Sequence, residues 1–210
     1  MKKIMIIVSA VGLLYACKGK KEAPAGDAHE TTNRPAAAAD DDSVQIRKVV
    51  TGFYNWYGNN YKKLMDFSLY SGIKKKDHPP YKINWEIVEK YQAFIRDSVP
   101  QLGQAFLASQ KEMLRQCDSA FKVDTEDEIP YGFDYDWYTN SQEDTKYYVD
   151  EVNKPHHWDL TINGDNATVG VKGDYTINEN GKEKNAEAVI LKLQMKKENG
   201  KWTIARIGNE

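Results

Sequence analysis

Cysteine is scarce in this 210-residue chain: Cys17 and Cys117 are the only two, so no disulfide framework is available to hold a fold together. The four histidines do not join the cysteines at any metal-binding spacing, and no glycine-rich phosphate loop or strained serine elbow is present. These absences weaken a catalytic reading, although dispersed pocket residues leave no local signature. Neither sign of charge dominates. With 29 Lys and Arg against 31 Asp and Glu, the net charge is −2, which gives no electrostatic case for a nucleic-acid partner. Long hydrophobic runs are also missing, except at the amino terminus.

That exception has an order of its own. Lys2 and Lys3 are followed by the apolar run from Ile4 to Tyr15, and then by the small residue Ala16 and by Cys17. The run is about a dozen residues, short of the roughly 20 that a helix needs to cross a hydrocarbon core. A positive start, a short apolar middle and a small residue at the end are the parts of an export signal. Leu14-Tyr15-Ala16-Cys17 resembles the lipobox of bacterial lipoproteins, with Tyr where Ala, Ser or Thr is more usual. The resemblance implies cleavage after residue 16, diacylation of the Cys17 thiol and acylation of the new amino group. Several acyl chains anchor a protein stably where one does not.

From Cys17 to Asp42 the composition is that of a tether: Ala, Pro, Gly, Lys, Glu, Asp and Thr, with no aromatic residue. Such a segment buries too little apolar surface to offset the entropy of ordering. As a flexible coil it would hold a domain roughly 25–30 Å from the bilayer. Residues 43–210 then suit one domain with a full core. Once Cys17 is lipidated, Cys117 has no partner within the chain, and its amphipathic setting suits a small buried hydrophobe.

Within that domain the pattern predicts helices first. Asp42 reads as an N-cap with Gln45 completing a capping box. Ile46, Val49, Val50, Phe53, Trp56 and Tyr57 recur at helical steps, with Phe53 and Trp56 in the core, and Gly58-Asn59-Asn60 offers a stop. Residues 61–70 read as a broken helix or turn. Lys74-Lys75-Lys76 and Pro79-Pro80 mark a solvated loop. Asn84 begins a second helix carrying Trp85, Val88, Tyr91, Phe94 and Ile95. After Pro100 a third runs over 101–121.

Residues 123–152 are acidic and aromatic, and read as a long structured loop leading into a short strand. The last fifty or so residues alternate like an antiparallel meander. Trp158, Leu160 and Ile162 share one face, and 168–177 forms the second strand. Asn180-Gly181 lies in a loop. Val189, Leu191, Leu193 and Met195 share a face of the third strand. Asn199-Gly200 signals a tight hairpin, and Trp202, Ile204 and Arg206 alternate in the last strand. The fold class expected is α+β, with helices packed on one face of a curved sheet of about four strands.

Three motifs carry a family likeness: Val49-Val50-x-x-Phe53-Tyr54-x-Trp56-Tyr57, then Phe133-Asp134-Tyr135-Asp136 with Gln142 and Asp144, then Leu191-x-Leu193 with Gly200-Lys201-Trp202-x-Ile204. Together they resemble the domain of unknown function 3828, found in bacterial exported proteins. The closing hairpin is similar to that of the wider nuclear-transport-factor-two-like superfamily. The resemblance implies a cone of helices wrapped against a bent sheet, with a pocket between them. It implies no catalytic residues and no cofactor.

The candidate sites each admit two readings. Asp134, Asp136, Tyr138 and Asn140 alternate oxygen groups as a calcium loop does, but lack its glycine and its final glutamate. The other reading has Asp134 and Asp136 binding backbone donors in a turn, with Gln142 and Asp144 locking the loop to the first helix. His157 and Asp159 share a strand face, while His156 points the other way. They form either an acid–base pair or a solvent-facing strand start. Tyr131, Phe133, Tyr135, Trp137 and Tyr138 form either a platform for a ring-bearing ligand or a plug for the open end of the cone.

The leading expectation is a non-catalytic, membrane-tethered binding module for a small molecule, glycan or protein. The second is an interaction, inhibitor or immunity-type lipoprotein acting through its acidic aromatic surface. An enzyme using His157 and Asp159 is third. Lys18 after the lipid cysteine, where Asp marks inner-membrane retention in some bacteria, points to the outer membrane and its periplasmic face.

Overall fold

The computed structural model describes residues 36–71, 78–125, 129–154, 157–179 and 182–208, all within one compact unit, residues 33–210. The expected signal, Cys17, most of the expected tether, Lys74-Lys75-Lys76, His156 and Asn180-Gly181 lie outside the described residues. The architecture is α+β. Four helices, α1 (Ala36–Met65), α2 (Trp85–Ser98), α3 (Gln104–Phe121) and α4 (Thr145–Asn153), precede four strands, β1 (Trp158–Asn163), β2 (Asn166–Glu179), β3 (Lys182–Glu198) and β4 (Lys201–Ile207). The strands pair in sequence order, antiparallel throughout. Among the described residues, no helix is long and apolar enough to cross a membrane.

Helix α1 departs from expectation at both ends. It is 30 residues long and starts at Ala36, so Asp42 lies inside it and is no cap. Its carboxylate is buried, at 1% exposure. Asp42 Oδ1 accepts from Lys197 Nζ at 2.8 Å and from Trp202 Nε1 at 2.9 Å, which ties the helix to the β3–β4 hairpin. Gln45 donates to Asp41 instead of closing a capping box. Gly58-Asn59-Asn60 does not stop the helix either. Asn59 and Asn60 turn their amides back onto the carbonyls of Asn55 and Trp56. Gly58 lets α4 approach, since a Cβ there would sit 2.9 Å from Val149 Cγ2.

The expected helix at 101–121 begins later, at Gln104, because its first residues are used for pairing. Gln101 and Gly103 bracket Ile204 through two backbone bonds of 2.8 and 3.0 Å, a short parallel bridge between Leu102 and Ile204. A Cβ at Gly103 would collide with Thr203. Glu198, from the end of β3, supplies the missing cap: its carboxylate accepts from the amides of Gln104 and Ala105, both at 2.9 Å. A negative group at a helix amino terminus also suits the helix dipole.

Residues 145–153 form α4 where loop and strand were expected. Asp144 caps it by accepting from Lys146 N at 2.8 Å, and Tyr148, Glu151 and Val152 face inward. The segment is rich in Tyr, Val, Asp and Asn, none of them strong helix formers, so this short helix takes its stability from packing on α1.

The meander follows its alternation until two bulges shift it. Val171 pairs with Leu191 but Lys172 with Val189, so Ile190 is an extra residue in β3. Leu191, Leu193 and Met195 stay buried, whereas Val189 turns outward with 47% exposure. Likewise Gln194 pairs with Arg206 and Met195 with Ile204. Ala205 is the extra residue, and Arg206 leaves the face of Trp202 and Ile204. Bulges of this kind bend a strand and sharpen its twist. The turn at Asn199-Gly200 has both residues at positive φ, 51° and 76°, as the tight hairpin requires. Beyond the reach of β1 and β4, the outer halves of β2 and β3 continue as a hairpin paired only to itself.

The buried Asp42 junction makes a clear prediction. Asp42→Ala would leave the Trp202 donor and Lys197 without their acceptor, and is expected to cost about 2–4 kcal/mol. Loss of a helix cap would cost nearer 1 kcal/mol. Urea denaturation separates the two, and Asp42→Asn, which keeps an acceptor oxygen, is expected to fall between Ala and the parent chain.

Candidate functional site

Where α1 ends, the chain stays apolar without helical period, and Phe67, Leu69 and Tyr70 turn towards the core. A short ladder holds this turn: Asn84 N donates to Leu69 O at 2.8 Å and Ser71 N to Lys82 O at 3.0 Å. Opposite it lies the loop over 129–144. Trp137 Nε1 donates to Gly132 O at 2.6 Å. Asp136 N donates to Ser141 O at 2.8 Å, and Asn140 N to Asp136 O at 2.7 Å. Gly132 and Asn140 take the positive φ values, 79° and 53°, that these tight turns demand.

Between the two segments is an open cleft of about 220 Å³. Its walls are Leu64 and Met65 of α1, Phe67, Leu69 and Tyr70, Tyr91 of α2, and Phe133, Tyr135, Asp136, Trp137 and Tyr138 of the loop. The rings meet at steep angles: Tyr70 and Phe133 are 4.5 Å apart at 51°, Phe133 and Trp137 5.0 Å apart at 59°, Phe67 and Tyr91 5.4 Å apart at 70°.

Behind the cleft a chain of hydroxyl groups fastens the loop to the helices. Tyr57 Oη donates to Asp136 Oδ2, and the hydroxyls of Tyr91 and Tyr138 share a short hydrogen bond. Tyr54 Oη donates to the Tyr138 carbonyl at 2.7 Å, and Tyr138 N donates to Asp136 Oδ1 at 2.8 Å. Gln110 Nε2 donates to Tyr91 Oη at 3.1 Å. Burial, then the nearby Asp136 charge, holds the Tyr54 and Tyr57 phenols far above their ordinary range. Burial also raises Tyr138, with Tyr91 beside it adding to the effect. Tyr91 is pushed up to about 12, again chiefly by burial.

Of the aromatic residues singled out in the sequence, Phe133, Tyr135, Trp137 and Tyr138 line the cleft, while Tyr131 is 61% exposed on its outer side. The cleft contains no strand residue, so it is not a cavity between helices and sheet. The covered face of the sheet is filled by Val169, Val171, Leu191, Leu193, Met195 and Ile204. The loop is locked to α1 by Asp136 and Tyr138, not by Gln142 and Asp144. Gln142 donates to the Asp134 carbonyl, and Asp144 caps α4. The Asp134 side chain is exposed.

His157 and Asp159 do not meet. His157 Nδ1 faces Glu187 at 3.5 Å and Asp159 pairs with Lys172 at 3.0 Å, both away from the cleft. Among the described residues no group of His, Cys, Asp or Glu could hold a metal ion. Cys117 is fully buried and its thiol is pushed up to about 11 by burial, as suits an unreactive core residue.

Leu64, Met65, Phe67, Leu69, Tyr70 and Tyr91 carry little local signal as wall residues. The available signal was the apolar density after residue 63, where neither helical nor strand period explains it. Tyr54, fully buried, lies beside the expected stripe and not on it.

The tyrosine cluster predicts loss of stability in alkali. An unfolded tyrosine ionises near pH 10, whereas these four hold their protons to higher pH. Above about pH 10 the unfolded chain therefore binds fewer protons than the folded one, and stability falls as pH rises, by up to about 1.4 kcal/mol per pH unit for each group. The contribution is complete below about pH 10 and, for Tyr91, is lost as pH rises towards about 12. Urea midpoints measured across that window are expected to decline. Tyr91→Phe is expected to lower the midpoint at neutral pH, through the orphaned Gln110 donor, and to flatten the alkaline decline.

No family model matches the chain, and no curated protein and no solved structure matches it significantly; its likeness to the families named above rests on the quoted motif residues alone.

Proposed function

We propose that this chain is a lipoprotein of the bacterial envelope whose folded domain holds a small ligand in the aromatic cleft without reacting with it. Cys17 carries the lipid, the tether spaces the domain from the bilayer, and the outer membrane's periplasmic face is its location. The domain is a cone of the nuclear-transport-factor-two-like kind, of the same general family as the domain of unknown function 3828. Helices followed by a meander, with bulges at Ile190 and Ala205 that bend β3 and β4, support that reading.

One observation carries the binding function. Large aromatic side chains from the loop leave an open, mostly apolar cleft where a plug would have closed it. Clefts of this make-up are the usual sites for small molecules. The hydroxyl chain behind it fixes Tyr138 and Asp136 before any ligand arrives, and such preorganisation lowers the cost of binding. The one carboxylate in its wall, Asp136, has both oxygens engaged by Tyr57 and Tyr138 in holding the loop, which favours binding over catalysis.

A protein partner on the acidic aromatic surface is the second reading. It is favoured by Ile129 and Tyr131, exposed by 66% and 61% on the outer side of the loop.

Titration of the full chain with small uncharged aromatic and cyclic alcohols, followed by the Trp137 Nε1–H resonance, tests the first reading. A saturable shift is expected. Tyr135→Ala, which removes one wall, should weaken it about fivefold, the equivalent of about 1 kcal/mol. No saturable shift with any probe, in a chain whose fold is intact, would sink the reading. For the anchor, Cys17→Ser is expected to abolish palmitate labelling in cells and release the chain from the membrane fraction. Continued labelling would exclude Cys17 as the site.

A further inference from the structure

We propose that the ligand of this cleft is a small organic cation, a compact alkylated ammonium held between the aromatic walls and the Asp136 carboxylate. The inference rests on the cleft being a binding site.

Charge is the first argument. Asp136 is the one carboxylate in the cleft wall, which contains no Lys, Arg or His. Its field also reaches the phenols behind it, raising Tyr54 and Tyr57. An anion would meet that carboxylate with no cation to compensate it. The end of α1 adds to the bias. Leu64 and Met65 belong both to its last turn and to the cleft, so the negative end of the helix dipole lies at the same opening. Lys62 and Lys63 share that turn but are exposed and line no part of the cleft. Around the loop, Asp134, Glu143 and Asp144 are exposed and would draw cations towards it.

The second argument is the kind of contact on offer. Both Asp136 oxygens already accept a hydrogen bond, from Tyr57 Oη and from Tyr138 N. What remains for a ligand is negative charge, with one lone pair left on each oxygen. Aromatic faces behave the same way, attracting a cation through the ring quadrupole without a directed hydrogen bond. Tyr70, Phe133 and Trp137, at 4.5 and 5.0 Å with interplanar angles of 51° and 59°, turn their faces in different directions, so one rounded cation touches several of them. An alkylated ammonium is large, rounded and poorly supplied with N–H donors, and fits this demand better than a primary amine.

Size is the third. At about 220 Å³ the cleft falls below the roughly 300–1,000 Å³ typical of drug-sized ligands. A head group of a few carbon atoms around one nitrogen is in range.

The test compares choline with its uncharged tert-butyl analogue, which keeps shape and hydroxyl but lacks the charge. Each is titrated into the full chain, and the Trp137 Nε1–H resonance is followed. Choline is expected to bind at least about tenfold more tightly than the analogue, and Asp136→Asn to remove most of that difference. Because Asp136 also anchors the loop, Phe133→Leu provides a second variant. It leaves the carboxylate in place, and is expected to weaken choline more than the analogue. Equal or tighter binding of the analogue would overturn the cation inference while leaving the cleft a binding site. Silence from both ligands would overturn it too, and the uncharged alcohols would then decide separately whether the cleft binds anything.

Discussion

Tyr54, Tyr57 and Tyr91 are buried phenols on two helices, and each hydroxyl must keep a partner once water is gone. All three find one in the same short stretch of loop, at Asp136 and Tyr138. The loop has no strand ladder of its own beyond the single Asp136–Ser141 bridge, so this demand from the helices is what gives it a fixed course. With the loop fixed, Phe133, Tyr135 and Trp137 have defined positions, and a cleft exists. The same groups would otherwise be an aromatic segment free to collapse onto the core.

A second set of bonds does for the sheet what the phenols do for the loop. Asp42 fastens α1 to the β3–β4 hairpin, and Glu198 fastens the start of α3 to the end of β3. Both are carboxylates that satisfy donors from another element, and both lie at the closed end of the hairpin. The apolar core between these anchors leaves the sheet face no room for a ligand, and the cleft opens instead where α1 runs out and the loop begins. Position and chemistry of the cleft are thus consequences of where the helices stop.

Much of this fold could be read from period alone. The stripe from Ile46 to Tyr57, the second helix after Asn84, and the alternation of Trp158, Leu160 and Ile162 each obey a single local rule, and each holds. Two of the failures share a cause: residues whose local signal was overruled by a distant partner. Asp42 has every mark of a helix cap, but Trp202 and Lys197 take its oxygen. Gly58 and the asparagines beside it say stop, but α4 needs the glycine. The Ile190 bulge has no local signature at all, and shifts Val189 to the outside. For the cleft, the loop aromatics were visible because they cluster in sequence. Their opposite wall was not, because Leu64, Phe67, Leu69, Tyr70 and Tyr91 come together only after α1 and α2 have packed.

The self-paired outer half of the β2–β3 hairpin has a further consequence. Over Lys172–Glu179 and Lys182–Val189 each strand spends one side on the other, and neither β1 nor β4 covers the side that remains. His157 and Tyr147 take the Lys172 amide and the Asp174 carbonyl on the β2 side; the edge beyond them is a template on which a second chain could add strands and begin a fibril. The sequence resists this where it matters. Lys184 and Glu187 place charges of both signs along β3, and a copy stacked in register would bring like charge onto like charge. That repulsion is the difference between a solvated ribbon and a seed for aggregation.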